Sequence, residues 1–205
     1  HKIGAKAEGT LLELWKSDDQ RIRARALHLL ARIKDAEKKY INLALKDNNP
    51  DIRITGIRIA RERGLDVIPF VKKMVNDKDA GVRRACAIAL RHNESPEAPA
   101  LWTKLAQQHD GKDRWYLEAL GLALDKQQDK FFGAWLEAIG SDWDTPAGRD
   151  IIWRSRSSKT SDLLVKILLN KKTKDEEKPR YIRALDFQSG PEKDAALIKL
   201  IGAGS

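Results

Sequence analysis

The chain of 205 residues contains one cysteine, Cys86, and one methionine. A single cysteine excludes an internal disulfide and any zinc cage built from several thiolates. Its surroundings, RRACAIAL, place it on an apolar helical face, so Cys86 is expected as a small core residue. No apolar run approaches the roughly 20 residues that a helix needs to cross a bilayer. Strand signals are lacking: no segment alternates apolar and polar residues, and there is no Asn-Gly hairpin turn. A glycine-rich phosphate loop is missing too. The four histidines, His1, His28, His92 and His109, are scattered, and no Ser-His-Asp or Cys-His arrangement can be assembled from local motifs. His28, in ALHLLARI, reads as a half-buried helical residue. The carboxylate pairs Asp18-Asp19 and Glu176-Glu177 fall in expected turns, where solvation is the default. The chain begins at His1 without a charged-then-apolar leader, and is expected to be an excised or processed piece of something longer.

What is present points to helix. Charged residues make up 34% and hydrophobic residues 41%, a balance typical of ordered, water-exposed folds. Leu, Ala, Ile, Lys, Arg and Asp dominate, favouring helix over sheet. The length fits one domain or an elongated array. The net charge of +9 raises nucleic acid or an acidic partner as candidates. However, Lys and Arg are interspersed with Asp and Glu, the usual pattern of a solvated surface.

A repeat emerges when DDQRIRARALHLLARI (18–33), NPDIRITGIRIARERG (49–64) and KDAGVRRACAIALRHN (78–93) are aligned. Ile22, Ile52 and Val82 recur at one spacing, each followed by an arginine: Arg23, Arg53 and Arg83. Arg114, Arg149 and Arg180 continue the ladder less regularly. Between these segments lie others with apolar residues three and four apart, such as Leu11, Leu14 and Trp15, or Phe132, Trp135, Leu136 and Ile139. Neither helix of such a pair buries its stripe alone, whereas stacked pairs bury both. Asn49-Pro50-Asp51, Ser95-Pro96-Glu97 and Thr145-Pro146 read as helix starts with proline at the first helical position. Gly64, Gly140 and Gly190 follow helical segments, where a left-handed residue is wanted.

These segments resemble the HEAT-repeat family, in which an Asp near the inter-helix turn and an Arg early in the second helix recur. The expected fold is therefore all-α, a right-handed α-solenoid (superhelix) of about six helical hairpins. They form one domain, with approximate repeats 5–34, 36–64, 66–93, 95–125, 128–157 and 160–189, and a capping helix over 191–201. The ladder arginines are expected to hold the stack together by bonding the preceding turn's carbonyls or an Asp of a neighbouring repeat, with Asp19, Asp51 and Asp79 as the natural partners. The alternative is a basic stripe that meets phosphates. Metal-dependent hydroxylases built on the same repeats carry repeated His-Glu pairs, and none is present here.

The segment DWDTPAGRDIIWRSR (142–156) is the richest in the chain. Thr145 is expected to cap a helix running to about Ser155, preceded by a turn over Ser141–Asp144 whose extra residues lengthen this repeat. Arg149, Trp153 and Arg156, at i, i+4 and i+7, are expected to share a face, with a guanidinium stacked on the indole and Asp142 or Asp150 paired to an arginine. Asp142, Trp143, Arg149, Trp153 and Arg156 thus form the candidate interaction surface, since Trp and Arg are favoured anchors.

DRWYLEALGLAL (113–124), DWDTPAGRDIIWRSRSSKT (142–160) and PRYIRALDFQSGPEKDAALIKL (179–200) resemble the helical segment of large exported bacterial proteins. Typical sources are Planctomycetes, Verrucomicrobia and Bacteroidetes. Those proteins join a sugar-dehydrogenase-like β-propeller, HEAT repeats and a c-type cytochrome domain. The Cys-x-x-Cys-His haem motif of that family is not in this chain. The resemblance implies a non-catalytic connector, a scaffold binding other domains of its parent or another protein in an exported, periplasmic oxidoreductase; the lack of any ligand cluster leads to the expectation of no bound cofactor or metal. A second reading draws on HEAT-like DNA glycosylases, which set Trp, Asp and Arg on a basic concave face. Trp143, Trp153, Asp150 and Arg154 are the residues available for it. A third is an adaptor for an acidic protein.

Overall fold

The computed structural model describes residues 4–203. Among them are thirteen α-helices, two short 3₁₀ helices and no strand, the all-α stack of helical hairpins expected of an α-solenoid. None of the described helices is long and apolar enough to cross a membrane. Two compact units divide the chain, His1–Leu90 and Arg91–Ser205.

The first unit holds α1 (Glu8–Trp15), α2 (Gln20–Leu30), α3 (Glu37–Ala44), α4 (Pro50–Glu62), α5 (Ile68–Met74) and α6 (Ala80–Ala89). Each second helix of a pair begins at a side-chain cap. Asp19 accepts from the Arg21 N–H, Asn49 from Asp51 and Asp79 from Val82, satisfying donors that the helix leaves open. In α4, Pro50 stands at the first position, where its missing N–H costs nothing. Helix α4 packs against α2, α3 and α6, burying Ile52, Ile57 and Ile59. A fully buried aliphatic side chain of this kind contributes about 1.5–3 kcal/mol. Between consecutive pairs the chain turns through a left-handed residue, Asp35 (φ 63°) after α2 and Gly64 (φ 67°) after α4. Past Gly64, the Leu65 N–H reaches back to the Ala60 carbonyl and closes the helix end.

The arginines at the fourth position after each cap bind this unit. Arg53, only 5% exposed, donates from Nε and Nη2 to both oxygens of Asp77 at 2.8 Å. Its Nη1 reaches the Asp47 and Asn48 carbonyls of its own turn, at 2.9 and 3.0 Å. Arg23 likewise meets the Trp15 carbonyl (3.1 Å) and the carboxylate of Asp47, while Arg83 donates to the carbonyls of Asp77 (2.7 Å) and Lys78 (3.2 Å). The acidic partners therefore differ from those expected. Asp19 and Asp79 are consumed as helix caps and Asp51 is exposed. The carboxylates that receive the arginines, Asp47 and Asp77, lie two residues before a cap, in the following repeat. There each also accepts a backbone N–H, from Asn49 and Asp79 respectively.

The second unit holds α7 (Ala98–Ala106), α8 (Arg114–Ala123), α9 (Gln128–Ile139), α10 (Pro146–Arg154), α11 (Thr160–Leu169), α12 (Lys178–Leu185) and α13 (Pro191–Ala203). Helix α7 begins after Ser95-Pro96-Glu97, not at it: those residues form a turn, and Pro99 is the proline inside the helix start. Helix α9 packs on α7 with Trp102 and Phe131 edge to face at 6.2 Å, and the Trp102 Nε1–H donates to the Leu120 carbonyl at 3.1 Å. Helix α10 packs on α8 and α11, and α13 lies on α11.

The ladder changes character here. The caps are Asp113 for α8 and Thr145 for α10, so the position matching Arg53 is Leu117 in α8 and Arg149 in α10. Arg114, the first residue of its helix, is exposed and out of register. The long step between caps thus runs from Asp79 to Asp113 and is not made by Ser141–Asp144. In α12 the matching helix position is Tyr181, beside Arg180, which points to a different task.

Candidate functional site

The segment 142–156 folds locally as its residues dictate. Gly140–Trp143 form a 3₁₀ turn, the Thr145 hydroxyl accepts from the Gly148 N–H at 3.1 Å, and α10 runs from Pro146 to Arg154. Gly148 has no room for a side chain, because an added Cβ would stand 2.0 Å from the Trp143 carbonyl oxygen. The helix stops at Ser155, whose backbone is extended (ψ 154°), so Arg156 leaves the helix and does not share a face with Arg149 and Trp153. Its guanidinium donates to the carbonyls of Trp153 (3.1 Å) and Ser155 (2.6 Å) and lies 4.8 Å from the Phe187 ring centre. Burial and the nearby Arg154 depress its pKa from the usual arginine range.

The centre of the site is Asp150, 9% exposed. Its Oδ2 faces Nε2 of the buried His109 at 3.1 Å, and its Oδ1 accepts from Arg180 Nη2 at 2.7 Å. Burial pushes the Asp150 carboxyl up, but the hydrogen bonds and charges of His109 and Arg180 outweigh it and hold the group below the usual carboxylate range. An ionised carboxylate only accepts, so the His109 Nε2 carries the proton of that contact. The His109 ring stacks on Tyr116 (6.1 Å between centres, 11° between planes), while its Nδ1 has no hydrogen-bond partner among the described residues. Arg180 spans from Asp150 to Trp153, with its guanidinium carbon 4.5 Å from the indole centre. The indole therefore carries Arg180 and not Arg149 or Arg156, and Asp150 belongs to Arg180.

Arg149 faces the other way. It donates to Asp144 at 2.5 Å and to the Thr173 hydroxyl at 3.1 Å, with Glu177 at 3.8 Å. Asp144, the strongest contributor, holds the guanidinium pKa above its usual range. The second oxygen of Asp144 accepts from Asn170 at 2.9 Å, tying the turn before α10 to the turn after α11. Arg149, Asp150 and Arg180 line one open cleft of about 380 Å³, together with Asp144, Pro146, Lys172, Lys174, Glu177 and Tyr181. Asp142 lies outside this cleft, exposed, and accepts from the Ser141 hydroxyl at 3.3 Å. Trp143 is half-buried, its carbonyl engaged by the Thr145 N–H.

Several surroundings matter that the sequence did not announce. His109 is one, because it lies far along the chain from Asp150 and no local motif joins them. The polar run SRSSKTS is another. Ser155, Ser157, Thr160 and Ser161 are buried, and Ser157, Ser158 and the Ser158 N–H all converge on Asp129. These bonds, led by Ser157, hold the Asp129 carboxyl below its usual range. Arg154 donates to Glu118 at 3.0 Å, and its guanidinium lies against Gly121, where a side chain would collide with it. His28 is half-buried, His92 pairs with Asp125 at 2.8 Å, and His1 lies outside the described residues. Cys86 is fully buried, and that burial pushes its thiol up to about 12, so the reactive thiolate is scarce. No group of three or more His, Cys, Asp or Glu among the described residues is arranged to hold a metal ion.

No curated protein and no solved structure matches the chain. Residues 37–121, from α3 into α8, match the family model of HEAT repeats, and HEAT repeats are what this part of the chain is similar to.

Proposed function

We propose that this chain is a non-catalytic scaffold that docks proteins through its second unit. The observation that carries the reading is the way the candidate cluster uses its polar groups. Both oxygens of Asp150 are taken, by His109 and Arg180, and both of Asp144, by Arg149 and Asn170. Groups locked to one another position a surface; they are not held ready to move a proton to or from a substrate. What they position is an indole, two guanidiniums and a rim of lysines, residues suited to anchoring a partner. The likeness of residues 37–121 to HEAT repeats supports the same reading. The phosphate-binding alternative needs arginines without acidic partners, and Arg149 and Arg154 each face a carboxylate.

More finely, the chain is proposed to connect a dehydrogenase-like β-propeller to a c-type cytochrome domain in a larger exported protein of the periplasm. The support is the order and wording of the three segments 113–124, 142–160 and 179–200. The connector would fix the distance and orientation between electron donor and acceptor. A haem assay on the product of the natural gene, expressed with its own export signal, tests this. Covalent haem by pyridine haemochrome absorbance is expected. A haem-free product with no other folded domain would sink the redox context and leave the scaffold alone.

A further inference from the structure

We propose that the cleft between α10 and the turn joining α11 to α12 receives an acidic segment of a partner protein, whose carboxylate sits against Arg180 and Arg149 with Lys172 and Lys174 at the rim. This rests on the scaffold reading and names the chemistry that the partner brings.

Four cationic side chains line the cleft against three carboxylates. Two of the three are spent internally: Asp150 accepts from His109 and Arg180, and Asp144 from Arg149 and Asn170. The third, Glu177, stands 3.8 Å from Arg149, too far for a hydrogen bond, with its side chain about half exposed. Glu177 is thus a loose internal occupant of a place that an incoming carboxylate fills better. Lys172 and Lys174 have no ion pair among the described residues.

The two arginines are preorganised. Asp144 and the Thr173 hydroxyl hold Arg149 by Nε and Nη1, and the Tyr181 hydroxyl lies against the same guanidinium. Asp150 holds Arg180 by Nη2 and Trp153 lies against its face, leaving Nε and Nη1. A guanidinium already fixed in its rotamer loses little entropy on receiving a carboxylate, and its planar fork matches one. The helix start contributes little. Pro146 has no N–H and the Gly148 N–H belongs to Thr145. The side chains carry the site.

The same inventory favours an acidic peptide over a nucleic acid. A phosphate backbone needs a run of unpaired cations. Here Arg154 is bound to Glu118, and Asp144 and Glu177 stand at the cleft itself. A cleft of this size accepts one or two carboxylate side chains between such neighbours.

The test uses a fluorescent oligoglutamate peptide, its oligoglutamine counterpart and a single-stranded oligothymidylate, titrated against the chain and read by anisotropy. Binding of oligoglutamate that weakens with salt is expected, with none of oligoglutamine. The exposed double change Lys172→Glu/Lys174→Glu should weaken it at least about tenfold, and Glu177→Gln should strengthen it roughly two- to fivefold. Circular dichroism confirms that both variants fold. Equal affinity in wild type and both variants overturns the proposal, as do absent oligoglutamate binding and oligothymidylate binding as tightly as oligoglutamate. Failure of the scaffold reading is separate. If the parent's other domains bind the chain and Lys172→Glu/Lys174→Glu leaves that unchanged, the scaffold stands and the cleft falls. If oligoglutamate binds as described while those domains do not associate with the chain, only the redox-scaffold reading falls.

Discussion

In the first unit one device is repeated: an arginine four residues after a helix cap closes its own turn through carbonyls, and Arg23 and Arg53 then grip a carboxylate of the next turn. In the second unit the same position holds Leu117, Arg149 and Tyr181. Arg149 keeps part of the old arrangement, with the Thr173 hydroxyl standing where Asp47 and Asp77 stand in the first unit. The polar burial moves instead to His109, Asp150 and Arg180, drawn from three places in the chain. A repeated device makes each joint alike and consumes its charges. A broken one leaves guanidiniums at the edge of a cleft. The irregular unit is therefore where the proposed docking cleft lies.

The largest effect expected from breaking this contrast is at Arg53. Arg53→Ala strands the buried Asp77 and should cost about 3–5 kcal/mol in urea unfolding. Arg114→Ala, out of register and exposed, should stay within about 0.5 kcal/mol. Similar losses for both would mean that the two units share one ladder after all. Next is the pair of tight glycines. Gly148→Ala drives a Cβ onto the Trp143 carbonyl and should cost about 1–3 kcal/mol, whereas Gly56→Ala meets Ala44 Cβ at 3.1 Å, Leu45 Cδ2 at 3.3 Å and the Ile41 carbonyl oxygen at 3.6 Å and should cost less, within about 1 kcal/mol. Thermal unfolding of the two variants distinguishes them.

Acid sharpens the comparison further. In Asp77, burial raises the pKa, but Arg53 and the Asp79 N–H lower it more, leaving it below its usual value, as His109 and Arg180 do for Asp150. A carboxylate with a depressed folded pKa contributes stability that is complete above its unfolded value, near 3.9. That contribution is lost as pH falls through the folded value. Stability should therefore be level from neutral pH down to about 5 and fall below about 4. Asp150→Asn should lower the neutral plateau by about 1.5–3 kcal/mol and flatten the acid fall, and an unchanged profile would remove Asp150 from the stability argument. The smallest effect concerns the left-handed turns. Lys126 (φ 61°) occupies a conformation that glycine adopts without strain, as at Gly190 (φ 87°). Lys126→Gly should gain about 0.5–1 kcal/mol of stability, read as a higher midpoint of thermal unfolding, and a lower midpoint would show that its side chain contributes more than its backbone costs.

Most helices and several caps and turns were legible from residues alone, although Ser95-Pro96-Glu97 proved to be a turn before α7 and not its start. Asn49-Pro50 and Thr145-Pro146 start helices as read, and Gly64, Gly140 and Gly190 all have positive φ. Each such signal is contained within one turn of chain, so neighbours in sequence settle it. The match of residues 37–121 to HEAT repeats covers two of the three segments where the repeat was plainest, 49–64 and 78–93, and leaves 18–33 outside. Reading failed where charge was matched by proximity in sequence. Asp19, Asp51 and Asp79 looked like partners of the arginines because they stand four or two residues away, but caps and solvent had prior use of them. Arg149, Trp153 and Arg156 looked like one face until the extended backbone of Ser155 turned Arg156 aside.

By itself the sequence determined that the chain is helical, where several of its helices start, which stripes are apolar and that arginine recurs near the heads of the second helices in the first unit. Those follow from periodicity and local hydrogen bonding. Only the tertiary structure decided that Arg53 meets Asp77, that Trp153 carries Arg180, and that a histidine from the turn after α7 completes the setting of Asp150. Coulomb attraction has no built-in sense of sequence distance. A buried charge is satisfied by whichever partner packing delivers to within hydrogen-bond reach, and packing is a property of the assembled helices.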